Sequence, residues 1–406
     1  MIEKEFDSIE KADIDALVAK AEPEGRTIEY KEQLPAAGSD RDSCEFLKDA
    51  SAFANAGGGD LIYGIREKRD ASGQATGIPE DAKGLAGINS DNEENRLLSI
   101  LRSGIEPRIP AVRIKHIDGF SSGGPVIVLR IHKSWASPHM VKEAFRFYHR
   151  VGTMNHPLDV REIRAAFLAS ESLGDKISAF RSDRVGKILA GETPVPMKPG
   201  PKFVLHLLPV SAFGEPVTVD LRTAESTIGS ELVPMGPRTN GRGPTQFNFN
   251  GLICSSGTGA SPHTVSYVQL FRNGVIEAVC ECLLAQRVLI GSNLEQELLG
   301  AASRYIKNIQ CRLGVVPPTF VAISVVFVKG FGIWPIHSYH PFAFASVRPI
   351  DEDVLLAPEA LVEEEGTDIR KLLRPALDTI WQASGWPGSQ GYDDRGDWVG
   401  YQRFLR

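Results

Sequence analysis

The chain has 406 residues, 42% of them hydrophobic and 24% charged, with a formal net charge of −6. That length suits two domains with proper cores, and the composition excludes a disordered or fibrous chain. The acidic balance excludes a globally basic nucleic-acid footprint, so a polyanion would have to be met by a local patch. With no signal peptide and no apolar run long enough to span a bilayer, the expected location is cytoplasmic, with no membrane partner. Five cysteines, Cys44, Cys254, Cys280, Cys282 and Cys311, form neither a disulfide framework nor a zinc spacing.

Asp13 to Lys20 carries Ile14, Leu17 and Val18 at helical spacing, a short helix that stops before Pro23. Arg26 to Lys31 alternates as a half-buried strand does, with Ile28 and Tyr30 on one face and Thr27, Glu29 and Lys31 on the other. Glu24 joins the Glu29 face only if the chain bends at Pro23, Glu24 and Gly25. Asp42 to Glu45 reads as a capping box opening a helix through Phe53, with Phe46, Ala50 and Phe53 along one stripe. Gly57, Gly58 and Gly59 then turn into a strand carrying Leu61, Tyr63 and Ile65 and closing at Glu67. Lys68 to Lys83 reads as a loop bordering that point. A helix over Asn92–Ser103, strands at Val112–Ile117, Pro125–His132 and Ala144–Val151, and a helix from Asp159 towards Leu173 complete an α+β layer.

A further helical stretch carries Ile177, Phe180, Val185, Ile188 and Leu189. Four prolines in the eight residues from Pro194 to Pro201 follow, and these neither continue a helix nor enter a central strand. The boundary is expected there: a first domain over 1–190, a proline-rich linker over 191–202, and a second, strand-rich α+β domain over 203–406. Strands are expected at Phe203–Leu208, Val217–Leu221, Phe247–Cys254, Val265–Phe271 and Val275–Cys282, the last two joined by a hairpin turn at Asn273 and Gly274. A helix from Ser292 to Leu313, a buried strand over Phe320–Val328 and a helix over Ile369–Ala383 interrupted by Pro375 follow. His337 with His340 and the run Glu363–Glu365 read as solvated surface. Trp398, Tyr401 and Phe404 are expected to dock on the body rather than to stack on bases.

The chemistry-bearing residues cluster early. Glu24, Glu29 and Glu67, with Arg26, Lys31 and Arg66, surround two short strands and one glycine turn, an arrangement suited to phosphate chemistry. A phosphodiester resists anionic attack, so its hydrolysis benefits from a divalent cation, and hard carboxylate oxygens suit Mg²⁺ or Mn²⁺. Lys31 can then stabilise charge at the reacting phosphorus, while Arg66, Lys68 and Arg69 hold neighbouring phosphates. The N–H groups of Gly57, Gly58 and Gly59 can form an anion nest, or the glycines simply make the turn. Between Arg102 and Arg164 eleven Lys or Arg stand against five acids, and Arg146 and Arg150 of this stretch are candidates for contacting a nucleic-acid backbone. The competing reading makes Glu24, Glu29 and Glu67 solvated strand-end charges paired with Arg26, Lys31 and Lys68. No Walker lysine motif is present, which argues against ATP hydrolysis of the P-loop type.

Three blocks resemble the AlbA-like core domain of the Schlafen proteins: Glu24, Glu29, Tyr30 and Lys31; Phe53 to Gly59 running into an acidic strand end; and, more weakly, Phe147 to Gly152. The resemblance covers roughly the first 170 residues. It implies a nuclease whose catalytic, metal-binding triad is Glu24, Glu29 and Glu67, although Arg66-Glu67 stands where an Asp-Asp pair is common. It further implies an endoribonuclease acting on structured RNA such as tRNA, with RNA favoured over DNA, in a setting of anti-phage defence. The alternative is a non-catalytic nucleic-acid- or nucleotide-binding regulator. The second domain is left to substrate binding, homo-oligomerisation or sensing.

Overall fold

The computed structural model describes all residues except 3, 5, 111, 215–217, 237–240, 258–261, 282–283, 286, 316, 336–346, 364–365 and 402–406. Cys282, the pair His337 and His340, Glu364, Glu365 and Phe404 therefore lie outside the described residues. The chain is α+β throughout and divides into two compact units, Met1–Ser172 and Leu173–Arg406.

The first unit runs α1 (Lys11–Ala19), β1 (Ile28–Lys31), α2 (Asp40–Asn55), β2 (Gly59–Tyr63), β3 (Ile65–Arg69), β4 (Ala75–Ala82), α3 (Ser90–Gly104), β5 (Ile105–Glu106), β6 (Val112–Ile117), β7 (Val126–Ile131), β8 (Met140–Val141), β9 (Arg146–Val151) and β10 (Met154–Pro157). One sheet has the order β1-β2-β7-β6, with β1 parallel to β2; a second has the order β10-β9-β8-β5. Strands β2 and β7 are buried on both faces, which is why they read as nearly continuous apolar runs. Leu61, Tyr63 and Leu129 meet Phe46, Ala50 and Phe53 of α2 and Leu97 of α3. Ile28, Tyr30, Ile62 and Val128 meet Phe6, Ile9 and Ile14 in a separate cluster. The alternation of β1 therefore turns Glu29 and Lys31 away from the Ile28–Tyr30 cluster.

Residues 68–83 are not a loop. They complete the β3–β4 hairpin, closed by the Asp70 side chain, which accepts from the Ser72 N–H at 2.8 Å and the Gln74 N–H at 2.9 Å, with Gly73 at φ +82°. Helix α2 also begins a turn early, because Ser39 rather than Asp42 caps it, accepting from the Asp42 N–H at 3.2 Å.

The two helices expected around residue 175 are one, α4 (Val160–Leu189), and the division between units falls within it, ahead of the proline-rich segment. The physical reason lies in the second half of the helix. Arg181 donates to the carbonyls of Ile323 and Ala357, and Val185 and Ile188 are buried with Val204, Tyr267 and Val326 of the second unit. The proline-rich segment is held by a short backbone pairing: Lys198 N–H donates to the Thr264 carbonyl at 3.1 Å and Thr264 N–H to that of Pro196 at 2.9 Å.

The rest of the second unit comprises β11 (Lys202–Pro209), α5 (Leu221–Ile228), β12 (Arg242–Phe247), β13 (Gly251–Ser256), β14 (Ser266–Phe271), β15 (Ile276–Glu281), β16 (Leu284–Ala285), β17 (Val288–Ile290), α6 (Gly291–Tyr305), β18 (Thr319–Val326), β19 (Gly332–Trp334), β20 (Val354–Leu356), β21 (Ala360–Val362) and α7 (Ile369–Gln382). Its main sheet has the order β12-β13-β14-β15-β11-β18-β20, with β21 also on β18. Helices α5, α6 and α7 share one core cluster with the sheet, while the end of α4 belongs to another. Two expected strands fail. The stretch ending at Leu221 leads into α5, capped by Asp220, and Phe247–Cys254 folds back as the β12–β13 hairpin because the Asn248 side chain accepts from the N–H groups of Asn250 and Gly251. Trp398 and Tyr401 pack against the core cluster as docked groups.

Candidate functional site

The bend before β1 and the β3–β4 hairpin bring Glu24 and Glu67 together around one glycine, with Glu29 close enough on β1 to act on Glu24 by charge. Gly77, at φ +71°, donates its N–H to Glu67 Oε2 at 2.8 Å and accepts the Glu24 N–H on its carbonyl at 2.7 Å. A Cβ built at Gly77 would make only ordinary contact with the Glu24 side chain at 3.4 Å, so the positive φ is the reason for glycine. Glu24 Oε1 in turn accepts from the Tyr30 N–H at 2.8 Å, which draws the bend before β1 onto the strand.

Glu29 is buried, and both of its oxygens are engaged by cations: Oε1 by Lys31 Nζ and Oε2 by Arg150 Nη1. Lys31 also lies 3.2 Å from Asp49 Oδ2, and Asn155 donates to Asp49 Oδ1 at 2.6 Å while accepting from Arg150 at 3.3 Å. A closed ring of charge thus links β1, α2 and the β9–β10 hairpin. Its second carboxylate, Asp49, escaped the sequence reading. The signal was present, since Asp49 lies three residues after Phe46 and four before Phe53, a charged residue on the stripe that α2 buries.

Four carboxylates, Glu24, Glu29, Asp49 and Glu67, stand against two cations, Lys31 and Arg150. The Glu24 carboxyl is pushed up to about 7, chiefly by burial and then by the charges of Glu67 and Glu29, against the Tyr30 N–H and Lys31. Burial and then Glu29 also raise Asp49. Burial opposes the charge on Lys31, but Asp49 and Glu29 outweigh it and hold the ammonium above the ordinary lysine range.

The other expected site residues divide by exposure. Lys68, Arg69 and Arg146 are exposed; Arg69 donates to the Gly73 carbonyl and Arg66 pairs with Glu80 at 2.9 Å. Arg150 is only 1% exposed, with its guanidinium on Glu29, the Gly25 carbonyl and the Phe53 ring, so it organises the site instead of presenting charge to a backbone. Of the three glycines, Gly58 donates its N–H to the Phe53 carbonyl at 2.9 Å, and a Cβ there would meet the Ile131 carbonyl at 2.8 Å. A Cβ at Gly59 would strike the Phe53 ring. These two glycines serve the turn and its packing; Gly57 alone is exposed. Asn55, just before them, bonds the carbonyls of His139 and Tyr148 and accepts from the His139 N–H, pinning β9 to the end of α2.

Suitability for a divalent cation follows from these bonds. Glu24 and Glu67 each engage one oxygen with a backbone N–H, and the other makes no hydrogen bond to the described residues, so both fit as hard oxygen ligands. Glu29 does not fit while Lys31 and Arg150 hold it. Among the described residues no three Asp, Glu, His or Cys side chains converge on a ready-made ion position.

Residues 24–159 match the family model described as Schlafen, AlbA_2. The first unit carries a Schlafen AlbA_2 domain. The match spans the Gly77 clamp, the charged ring and the β9–β10 hairpin. No curated protein matches the chain. Among solved structures, the DIP2311 protein from Corynebacterium diphtheriae aligns at 19% identity and TM-score 0.23, over 36% of this chain and 29% of that one. The N-terminal domain of a RecG-related protein from Nitrosomonas europaea aligns at 18% identity and TM-score 0.22, over 31% of this chain and 74% of that one. Among the described residues no helix is long and apolar enough to cross a membrane.

Proposed function

We propose that the Schlafen AlbA_2 domain is a divalent-cation-dependent phosphodiesterase acting on nucleic acid, with structured RNA such as tRNA the substrate the family resemblance suggests. The observation that carries this reading is the Gly77 clamp, which holds Glu24 and Glu67 side by side, each with one carboxylate oxygen that makes no hydrogen bond to the described residues. Carboxylates crowded in this way are relieved by a cation.

Glu24 and Glu67 are the ligands this arrangement offers to Mg²⁺ or Mn²⁺, and Glu29 joins them once Lys31 leaves it. A bound ion would neutralise phosphate charge and lower the pKa of a water nucleophile. Lys31, already at the mouth of the ring, is placed to exchange Glu29 for a substrate phosphate oxygen, which both binds the polyanion and releases Glu29 Oε1. Arg150 and Asn155 keep Glu29 and Asp49 in register during that exchange. Arg66, Lys68, Arg69 and Arg146 supply the exposed charge that holds flanking phosphates.

A second reading, a nucleic-acid-binding regulator without catalysis, is favoured by the ion pairs that occupy both oxygens of Glu29. Incubation of the full chain with labelled tRNA, single-stranded DNA and duplex DNA, each with Mn²⁺, Mg²⁺ or EDTA, separates the two. Metal-dependent cleavage is expected, with tRNA cut fastest. Salt-sensitive binding without cleavage under any metal would select the regulator.

A further inference from the structure

Exposed apolar side chains concentrate in one part of the first unit. Of the ten large ones among the described residues, six (Phe145, Val151, Met154, Val160, Phe167 and Leu168) fall within the β9–β10 hairpin and the first turns of α4, and such a concentration marks an interaction surface. We propose that this surface is a platform on which unpaired bases of a nucleic-acid strand stack. The proposal rests on the reading of the domain as a nucleic-acid phosphodiesterase and adds which part of a substrate it grips.

Alternation along β9 sends Tyr148 and Arg150 to the side of α2 and Phe147, His149 and Val151 to the other side. In the antiparallel register His156 stands opposite His149 and Met154 opposite Val151, so these residues share one outer face. The Phe147 ring meets that of Phe167 edge to face, with centroids 6.0 Å apart, which lays α4 against this face. Along α4, Arg161, Arg164 and Leu168 follow at i, i+3 and i+7, an exposed stripe that mixes cations with an apolar group. Phe145, just ahead of β9, is 81% exposed and sits at φ +50°. A bulky residue holds that conformation only at a cost, and such outliers recur where a side chain is presented to a ligand.

Charge decides between occupants. Lys142, Arg146, Arg161 and Arg164 are exposed and make no ion pair with the described residues. Two of the neighbouring acids are spent on the start of α4: Asp159 Oδ1 accepts from the N–H groups of Arg161 and Glu162, and Glu162 Oε2 from that of Asp159, each at 2.8 Å. Association of two copies about a two-fold axis would set this surface against itself, cation towards cation. A single strand of nucleic acid instead offers phosphates to the arginines and base faces to the phenylalanine and histidine rings. A duplex keeps its base faces inside the stack and leaves the apolar groups without a partner. Asn155, between Met154 and His156, turns the other way to Arg150 and Asp49, so a strand held on the outer face lies on the hairpin that orders the charged ring.

The test measures fluorescence anisotropy of the full chain, in EDTA, with a labelled oligouridylate, an abasic strand of the same length and a blunt RNA duplex. The oligouridylate should bind roughly fivefold or more tightly than the abasic strand. Phe145→Gly, which suits the positive φ and removes the ring, should weaken oligouridylate binding roughly fivefold or more, the size of one lost base stack, and leave the abasic strand unchanged. Phe145→Trp should retain the affinity. Arg161→Gln with Arg164→Gln should weaken both strands alike and reduce the salt slope. Near-UV circular dichroism establishes that each variant is folded, and if Phe145→Gly is not, Phe167→Ala on the exposed side of α4 decides by the same comparison. Equal affinity for the oligouridylate and the abasic strand, or unchanged affinity in the folded phenylalanine variants, overturns the platform and leaves the phosphodiesterase reading to the cleavage assay. Binding of no strand overturns both. A dimer in sedimentation equilibrium that Phe145→Gly dissociates, with oligouridylate affinity unchanged, gives the surface to a second copy and likewise overturns the proposal.

Discussion

Glu29 in the first unit and Glu277 in the second are both buried strand carboxylates that accept from an arginine, yet their surroundings oppose one another. Glu277 is saturated: Arg184 donates to both oxygens at 2.8 Å, His206 lies 3.0 Å from Oε2 and Tyr267 donates to Oε1 at 2.8 Å. Burial alone would raise its pKa, but Arg184 and His206 prevail and lower it to about 2. Around Glu29, Lys31 and Arg150 each take one oxygen, while Glu24, Asp49 and Glu67 bring three further carboxylates to the same site. A charge network with its partners counted out is a structural device, whereas one left with excess charge is ready for a ligand of opposite sign.

The largest effect should come from breaking the saturated network. Glu277→Ala leaves Arg184 buried without its partner and should cost about 3–5 kcal/mol of the second unit's stability, read by denaturant unfolding, with nucleic-acid cleavage by folded protein unchanged. A mild effect on stability would place the two networks in one class.

Glu29→Gln should do the opposite. Cleavage should fall on the order of 10²- to 10⁴-fold while polyanion binding holds or improves, because a negative charge near phosphate is removed. Equal loss of binding and cleavage would mark Glu29 as a structural residue like Glu277.

The pH dependences should run in opposite directions. The raised Glu24 favours the folded state fully below its ordinary range near 4.5, and that contribution is lost as pH rises through about 7. The lowered Glu277 contributes above 4.5 and loses its contribution as pH falls towards about 2. Thermal unfolding across pH should therefore respond to Glu24→Gln on the neutral side and to Glu277→Gln on the acid side. Mn²⁺ should raise the melting temperature of wild type at pH 7 and raise that of Glu24→Gln less. A metal shift identical in both would remove Glu24 from the cation site.

The smallest effect belongs to the surface. Arg146→Glu should weaken nucleic-acid binding and reduce its salt slope by about one unit or more without altering stability. Arg150→Glu, four residues further along β9 and buried, should instead unfold the first unit. Matching effects from the two would contradict the division between exposed and buried arginines.

Local patterns were legible wherever one residue type has one meaning. The alternation of β1, the apolar stripe of α2, the Asn273–Gly274 hairpin and the core strand β18 follow from side-chain period and turn chemistry, which need no knowledge of neighbours. The three-block resemblance likewise located the Schlafen AlbA_2 domain from residues alone. Partners across the chain were beyond that reach. Arg146 and Arg150 look alike in sequence and even share a face of β9, but Arg150 is packed onto Glu29, 121 residues away, while Arg146 at the start of the strand stays in solvent. Gly77 lay in a stretch read as loop, and its joining of Glu24 to Glu67 exists only once the β3–β4 hairpin folds beside β1. Asp49 became part of the site only because α2 lays its buried stripe against the Glu29 face. The proline-rich segment, read as a linker, is tied into the second unit by its backbone pairing with Thr264. The chain by itself determined those elements that local period and turn chemistry set, and which acids are present; tertiary packing decided which charges are cancelled and which remain, since cancellation depends on distances between residues far apart in sequence.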